Sequence, residues 1–389
     1  MASTKVARLL GDFRSAHRER LRPSWGRALW WLSTRLGLAA SGHVVAALAM
    51  EQGASLGAWL VALPALVIGG MATGSVLVAV HDLAHGTFFP SKRANRVVGH
   101  ALATVFFVDY GAFRRAHLQH HRAPQSLQDP NFAFVPPERL SLSNPHGVVS
   151  AQAQRMPFTA ALAWLRATQR LPHPLRTLLY LPFLIVFYPL LVLSLPNELT
   201  LLRRNFRDRR RILPLIAPFM LYLLLGLAWP TLAVSLLLGV WLTFITTFML
   251  VVPHLFEEQL IFSGPIARNL AALNISDVRF GPFARWFTGG ISDYHSAHHL
   301  DCSVPIYQLP LLGRWVDTTL AQLKATPVAA ADWSLLPRFI DHSLRLNYGK
   351  RGDEWHLIQC DQHTVAAHSH PRLRHQLPAP VCARASDLV

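Results

Sequence analysis

Eight histidines of the 389-residue chain fall into three tight groups. "HDLAH" carries His81 and His85, "HLQHH" carries His117, His120 and His121, and "HSAHH" carries His295, His298 and His299. On a helix, positions i, i+3 and i+4 lie within roughly 100° of one another, so each group aims its rings at one point. Neutral imidazole is a common ligand for iron, copper and zinc. A structural zinc ion uses four ligands, and eight imidazoles exceed that number. The set suits two metal ions with coordination positions left open for dioxygen.

The elements that must carry these rings are apolar. Hydrophobic residues make up 51% of the chain and charged residues 15%, against about 25% charged in ordinary soluble domains. Mean hydropathy is +0.27. The predicted fold is all-α: a polytopic integral membrane protein with four transmembrane helices in two hairpins, interfacial helices, and a cytoplasmic cap bearing the histidines. Residues 1–27 read as a cytoplasmic N-terminal segment, 28–311 as the membrane domain, and 312–389 as a cytoplasmic tail, partly disordered. The formal charge of +16 is mostly arginine. In so apolar a chain that excess marks cytoplasmic loops facing anionic lipid, and no nucleic-acid partner is expected. Cys302, Cys360 and Cys382 form no CxxC motif, which argues against a disulfide framework and for a reducing compartment. The first apolar run is too long and too rich in tryptophan for a signal peptide.

A span needs about 20 mostly apolar residues. Residues 28–50 and 57–80 form the first predicted hairpin and return the chain to "HDLAH" on the side where it began. Residues 97–110 are too short to span and read as half-inserted or buried in protein. Residues 212–230 and 231–251 form the second hairpin. If 176–196 also spanned, "HSAHH" would land opposite the other two groups and the basic run 201–211 would face away from the cytoplasm. Pro182, Pro189 and Pro196 interrupt that segment, which suits a broken interfacial helix. Both termini, the arginine run and all three histidine groups are therefore placed in the cytoplasm, beneath a cell inner membrane or an ER-type membrane.

The stretches "HDLAHGTFF", "FRRAHLQHHRAPQSLQDPNF" and "ISDYHSAHHLDCSVPIYQLP" resemble the three histidine boxes of the membrane fatty acid desaturase superfamily. The likeness extends from about residue 40 to about residue 315, in the order and separation of the boxes. It implies a non-haem di-iron centre, dioxygen as co-substrate, a lipid acyl substrate, and two electrons from a ferredoxin or cytochrome b5-type donor. It implies as metal ligands His81, His85, His117, His120, His121, His295, His298 and His299. The family usually adds one histidine before the last box, and His254 in "VVPHLFEEQ" occupies that place; the alternative is a histidine capping a helix end. Some members place an asparagine one turn earlier, where this chain has Leu250. The "VPIY" after the third box is closer to acyl-lipid desaturases than to the front-end type. "HDLAHG" and "DPNF" also resemble carotenoid ketolases. Hydroxylation or ketolation of a fatty, alkane or carotenoid substrate is therefore the alternative outcome.

Removing hydrogen from an unactivated methylene requires a metal centre, because acid–base groups cannot supply the oxidising power. Asp82, Asp129 and Asp293 lie near the boxes and are candidates for orienting the imidazoles, with helix capping as the alternative. His43 and His100 read as buried histidines with satisfied hydrogen bonds. His356, His363, His368, His370 and His375 are irregularly spaced and read as a solvated tail. A membrane metal transporter would place its polar ligands midway along the spans; these groups sit at the ends.

Overall fold

A computed structural model describes residues 2–122, 175, 209–255, 268–273, 275–323, 329–330, 347–351 and 354–359. The architecture is all-α. Helix α1 (Ala2–Ala16) and the short α2 (Arg18–Leu21) lead into a long hairpin, α3 (Trp25–Glu51) and α4 (Leu56–His85). Then come α5 (Lys92–Val105) and α6 (Tyr110–Arg122), followed by a second hairpin, α7 (Arg209–Ala228) and α8 (Pro230–Leu255). The C-terminal part holds α9 (Arg268–Leu273), α10 (Pro282–Thr288), α11 (His295–Leu300) and α12 (Leu309–Thr319). Strand structure among the described residues is limited to two two-stranded pairings, 278–279 with 329–330 and 347–351 with 354–359.

Among the described residues, three helical segments are long and apolar enough to cross a membrane: Trp25–Glu51, Leu56–His85 and Pro230–Thr247. Helix α7 contributes a shorter apolar stretch, Ile216–Ala228. Leucines and valines on α3, α4, α7 and α8 face outward, a surface suited to lipid. The segment 176–196, on which the parity of the spans turns, lies outside the described residues.

Close helix packing draws the first hairpin together. A Cβ on Gly42 would lie 2.6 Å from the Cα of Gly69, so the two backbones touch where only glycine fits. His43 then ties three helices. Its Nε2 is 2.8 Å from Thr73 Oγ1, whose hydroxyl donates to the Gly69 carbonyl at 2.8 Å. The single threonine proton is thus committed, so His43 Nε2 donates and Nδ1 accepts from Ser235 of α8 at 3.1 Å. His43 is the buried, satisfied histidine that the sequence predicts.

At one end of the bundle, Trp229 and Thr231 both donate to the Glu51 carboxylate, at 2.6 and 2.5 Å. The turns of both hairpins therefore share that end, and the histidine-bearing ends meet at the other. Helix α4 starts at Ser55, whose hydroxyl accepts from the Ala58 N–H, and stops at Gly86 in the left-handed region (φ 79°). The stop falls immediately after His85. Asn95 braces the following turn, its amide donating to the Gly86, Phe89 and Ser91 carbonyls. Asp109 caps α6 at the Ala112 N–H, and Tyr110 donates to the Leu83 carbonyl at 2.7 Å.

The segment 97–110 packs into the protein through Gly99, Ala103, Phe106 and Phe107, the second of the two readings given for it. It divides into the end of α5, a turn and the start of α6. His100 is exposed, its ring edge-on to Tyr110, which corrects the reading of it as buried: Gly99 and Ala103 take the inward face of α5 instead.

Candidate metal centre

His81 and His85 come from the last turns of α4, His117, His120 and His121 from α6, and His295, His298 and His299 from α11. The three helices bring their rings to one place. Ligand nitrogens of His81, His85, His117, His121 and His298 all lie within 4.8 Å of one another. Those of His120, His121 and His299 form a second such group, so His121 belongs to both. His295 stands beside the second group, its ring centroid 4.9 Å from that of His299. His254 falls in the final turn of α8, and its side chain lies outside the described residues.

The rings face nitrogen to nitrogen. His117 Nε2 is 2.8 Å from His85 Nε2, and His120 Nε2 is 3.2 Å from His299 Nε2. His121 stacks on His299 at 4.0 Å. Both ring nitrogens of His121, and Nε2 of His298, are buried with no hydrogen-bond partner among the described residues. Burial, reinforced by the neighbouring imidazoles, holds both rings well below the ordinary histidine pKa. Those two rings are therefore neutral, as metal binding requires. Each unsatisfied buried nitrogen costs about 1–3 kcal/mol. A cation taking those lone pairs would remove that cost, and an all-imidazole donor set fits a transition metal better than magnesium or calcium. The two groups hinged on His121 fit a pair of ions.

Carboxylates also brace this end of the molecule. Asp82 accepts from the Ile306 N–H at 3.3 Å, tying the first box to the chain beyond the third. Asp293 pairs with Arg285 at 2.7 Å and accepts from Ser292. Asp129 lies outside the described residues. Two acids that sequence reading passed over hold the third box itself. Asp277 accepts from the Ser296 N–H and hydroxyl, both at 2.8 Å. Buried Asp301 is clamped by Arg14 of α1 and accepts from Ser303. The only sequence signal for Asp301 was its place two residues beyond His299; for Asp277 and Arg14 there was none.

The N-terminal helix is thus part of the site's support. Val6, Leu10 and Phe13 are buried in the same core as Leu309, Leu312 and Val316, and Phe13 stacks on Trp315 at 4.6 Å.

Helices of this length and hydropathy, crowned by a buried cluster of imidazoles drawn from three segments, define a membrane-associated protein with a metal-binding site. A sequence model of the fatty acid desaturase family matches residues 57–328, and the chain belongs to that family. It is also similar to a protein named "Omega-3 fatty acid desaturase, endoplasmic reticulum" from Nicotiana tabacum, with 33% identity over 73 residues. That match covers 19% of this chain and 19% of the relative's length.

Proposed function

We propose that this protein is a membrane-embedded, dioxygen-dependent desaturase that introduces a double bond into the acyl chain of a lipid. The observation that carries the reading is the pair of imidazole groups meeting at His121, with buried nitrogens left for a ligand. Two irons are held by His81, His85, His117, His120, His121, His295, His298 and His299, with His254 as a further ligand. When bound, the iron pair supplies the oxidising power needed to take hydrogen from an unactivated methylene.

The chain's own residues do the rest. Neutral, buried imidazoles keep their lone pairs available and protons out of the cluster. Asp277, through Ser296, fixes the backbone from which His295, His298 and His299 project. Asp82 and Tyr110 lock the end of α4 against its neighbours, so that His81 and His85 keep their directions. Four spans, with the boxes and both termini on the cytoplasmic side, let a soluble ferredoxin or cytochrome b5-type donor reach the cluster while the acyl chain approaches from the bilayer. In this arrangement residues 28–311 form the catalytic unit, and 312–389 form a cytoplasmic extension.

The test is expression in a host of known lipid composition, with lipid products profiled by mass spectrometry. The expected product is an acyl chain lighter by one pair of hydrogens, absent in the His120→Ala variant. A chain heavier by one oxygen would transfer the reading to hydroxylation, which the same centre can support.

A further inference from the structure

Helix α10 lies just before the third box, and its surroundings assign it a place inside the bilayer. Phe287 packs with Ala39 of α3 and with Met71 and Ala72 of α4. Along α4, Ala72 is 16 residues from Leu56, or about 24 Å at 1.5 Å per residue. Along α3, Arg35 is 16 residues from Glu51, again about 24 Å from the hairpin turn. A hydrocarbon core is about 30 Å thick. Both neighbours of α10 are therefore at a depth still inside it, on the side towards the histidines.

The helix has the composition such a place demands. Ala284, Phe287 and Thr288 face the protein, while Phe283 and Trp286 face outward, 63% and 42% exposed. A helix apolar on both faces is one with no aqueous side. Its one charged residue, Arg285, is paired with Asp293 at 2.7 Å.

A short helix ending within a membrane leaves carbonyls that no water can satisfy. Here a residue of a neighbouring span supplies a donor. Arg35 is 7% exposed, and its Nη2 donates to the Trp286 carbonyl at 2.8 Å. Its guanidinium lies between the rings of Trp286 and Trp31, 4.0 and 4.4 Å from their centroids. The cation also complements the negative end of the α10 dipole. An arginine within a span, with no carboxylate partner among the described residues, is thereby explained.

We propose that α10 is a re-entrant helix whose outer edge, Phe283 and Trp286, lies among lipid acyl chains, and that Arg35 holds it at that depth. Its occupant is the bilayer itself, because the exposed edge is aromatic and the helix packs on α3 and α4 at hydrocarbon depth. The inference rests on membrane insertion and not on desaturation.

The test uses the full chain with Cys302, Cys360 and Cys382 replaced by serine, and Phe283→Cys carrying a nitroxide. The labelled protein is placed in nanodiscs of phosphatidylcholine and phosphatidylglycerol. Collision with oxygen is compared with collision with a water-soluble nickel chelate. Labels at Leu60 and Arg18 serve as lipid and water references. Position 283 is expected to match Leu60; a ratio matching Arg18, as a water-facing or partner-covered helix would give, overturns the proposal. Adding Arg35→Gln is expected to shift the ratio at least twofold towards water, and an unchanged ratio removes Arg35 from the role. A lipid-like label in a protein that makes no double bond would sink the desaturase reading alone.

Discussion

Two histidines of equal burial, His43 and His121, show how differently one side chain is used. Each is 2% exposed. His43, deep among the spans, has a partner on each ring nitrogen, Thr73 on one side and Ser235 on the other. His121, in the cap, has none on either nitrogen among the described residues, and its neighbours are other imidazoles. Burial does not distinguish structural from ligand-binding histidine; hydrogen-bond satisfaction does. The first ring is satisfied by the folded chain, and the second has no partner among the described residues.

The sharpest break in the contrast comes from truncating each ring. His121→Ala, which strips both imidazole groups of their shared member, should lower product formation at least about 100-fold and deplete bound metal, read by elemental analysis. His43→Phe should leave metal content unchanged. It strands the Ser235 hydroxyl in an apolar bundle and so should lower unfolding stability by about 1–3 kcal/mol. Metal loss in the His43 variant, or metal retention in the His121 variant, would erase the distinction.

Acid should load the cap next. His121 and His298 titrate well below the ordinary histidine value in the folded state, whereas in the unfolded chain they titrate near about 6.5. Below that pH the unfolded state binds more protons, so metal-stripped protein should lose up to about 1.4 kcal/mol per pH unit for each ring as pH falls. Thermal unfolding in detergent between pH 8 and pH 5 reads this (~1 kcal/mol resolution suffices). A flat profile would mean that the rings are not held neutral.

The smaller effects probe the scaffold. Gly42→Val should force α3 and α4 apart at their closest approach, at a cost of about 1–3 kcal/mol. Arg14→Met should cost about 1–3 kcal/mol, because it leaves the buried Asp301 carboxylate without its cation. It should also loosen α1, visible as faster hydrogen exchange in residues 2–16.

Much of this was legible in the sequence, because the eight box histidines lie within short helical segments and helix periodicity alone gathers each set. The hairpins were legible for the same reason, with observed ends within about five residues of those expected. What escaped was long-range. Arg14 and Asp301 are 287 residues apart in the chain, Arg35 and Trp286 are 251 apart, and no local pattern joins them. Arg35, a charge in an apolar run, caps a distant helix through the Trp286 carbonyl. His100 misled because its apolar neighbours suggested burial, while α5 turns its glycine and alanine face inward.

The central claim is that the cap's imidazole cluster holds two irons. Full-length protein purified from iron-replete cells and measured for metal by mass spectrometry tests it most directly. The account predicts close to two irons per chain, falling sharply in His121→Ala and unchanged in His43→Phe. Zinc in place of iron, or no stoichiometric metal at all, would contradict it.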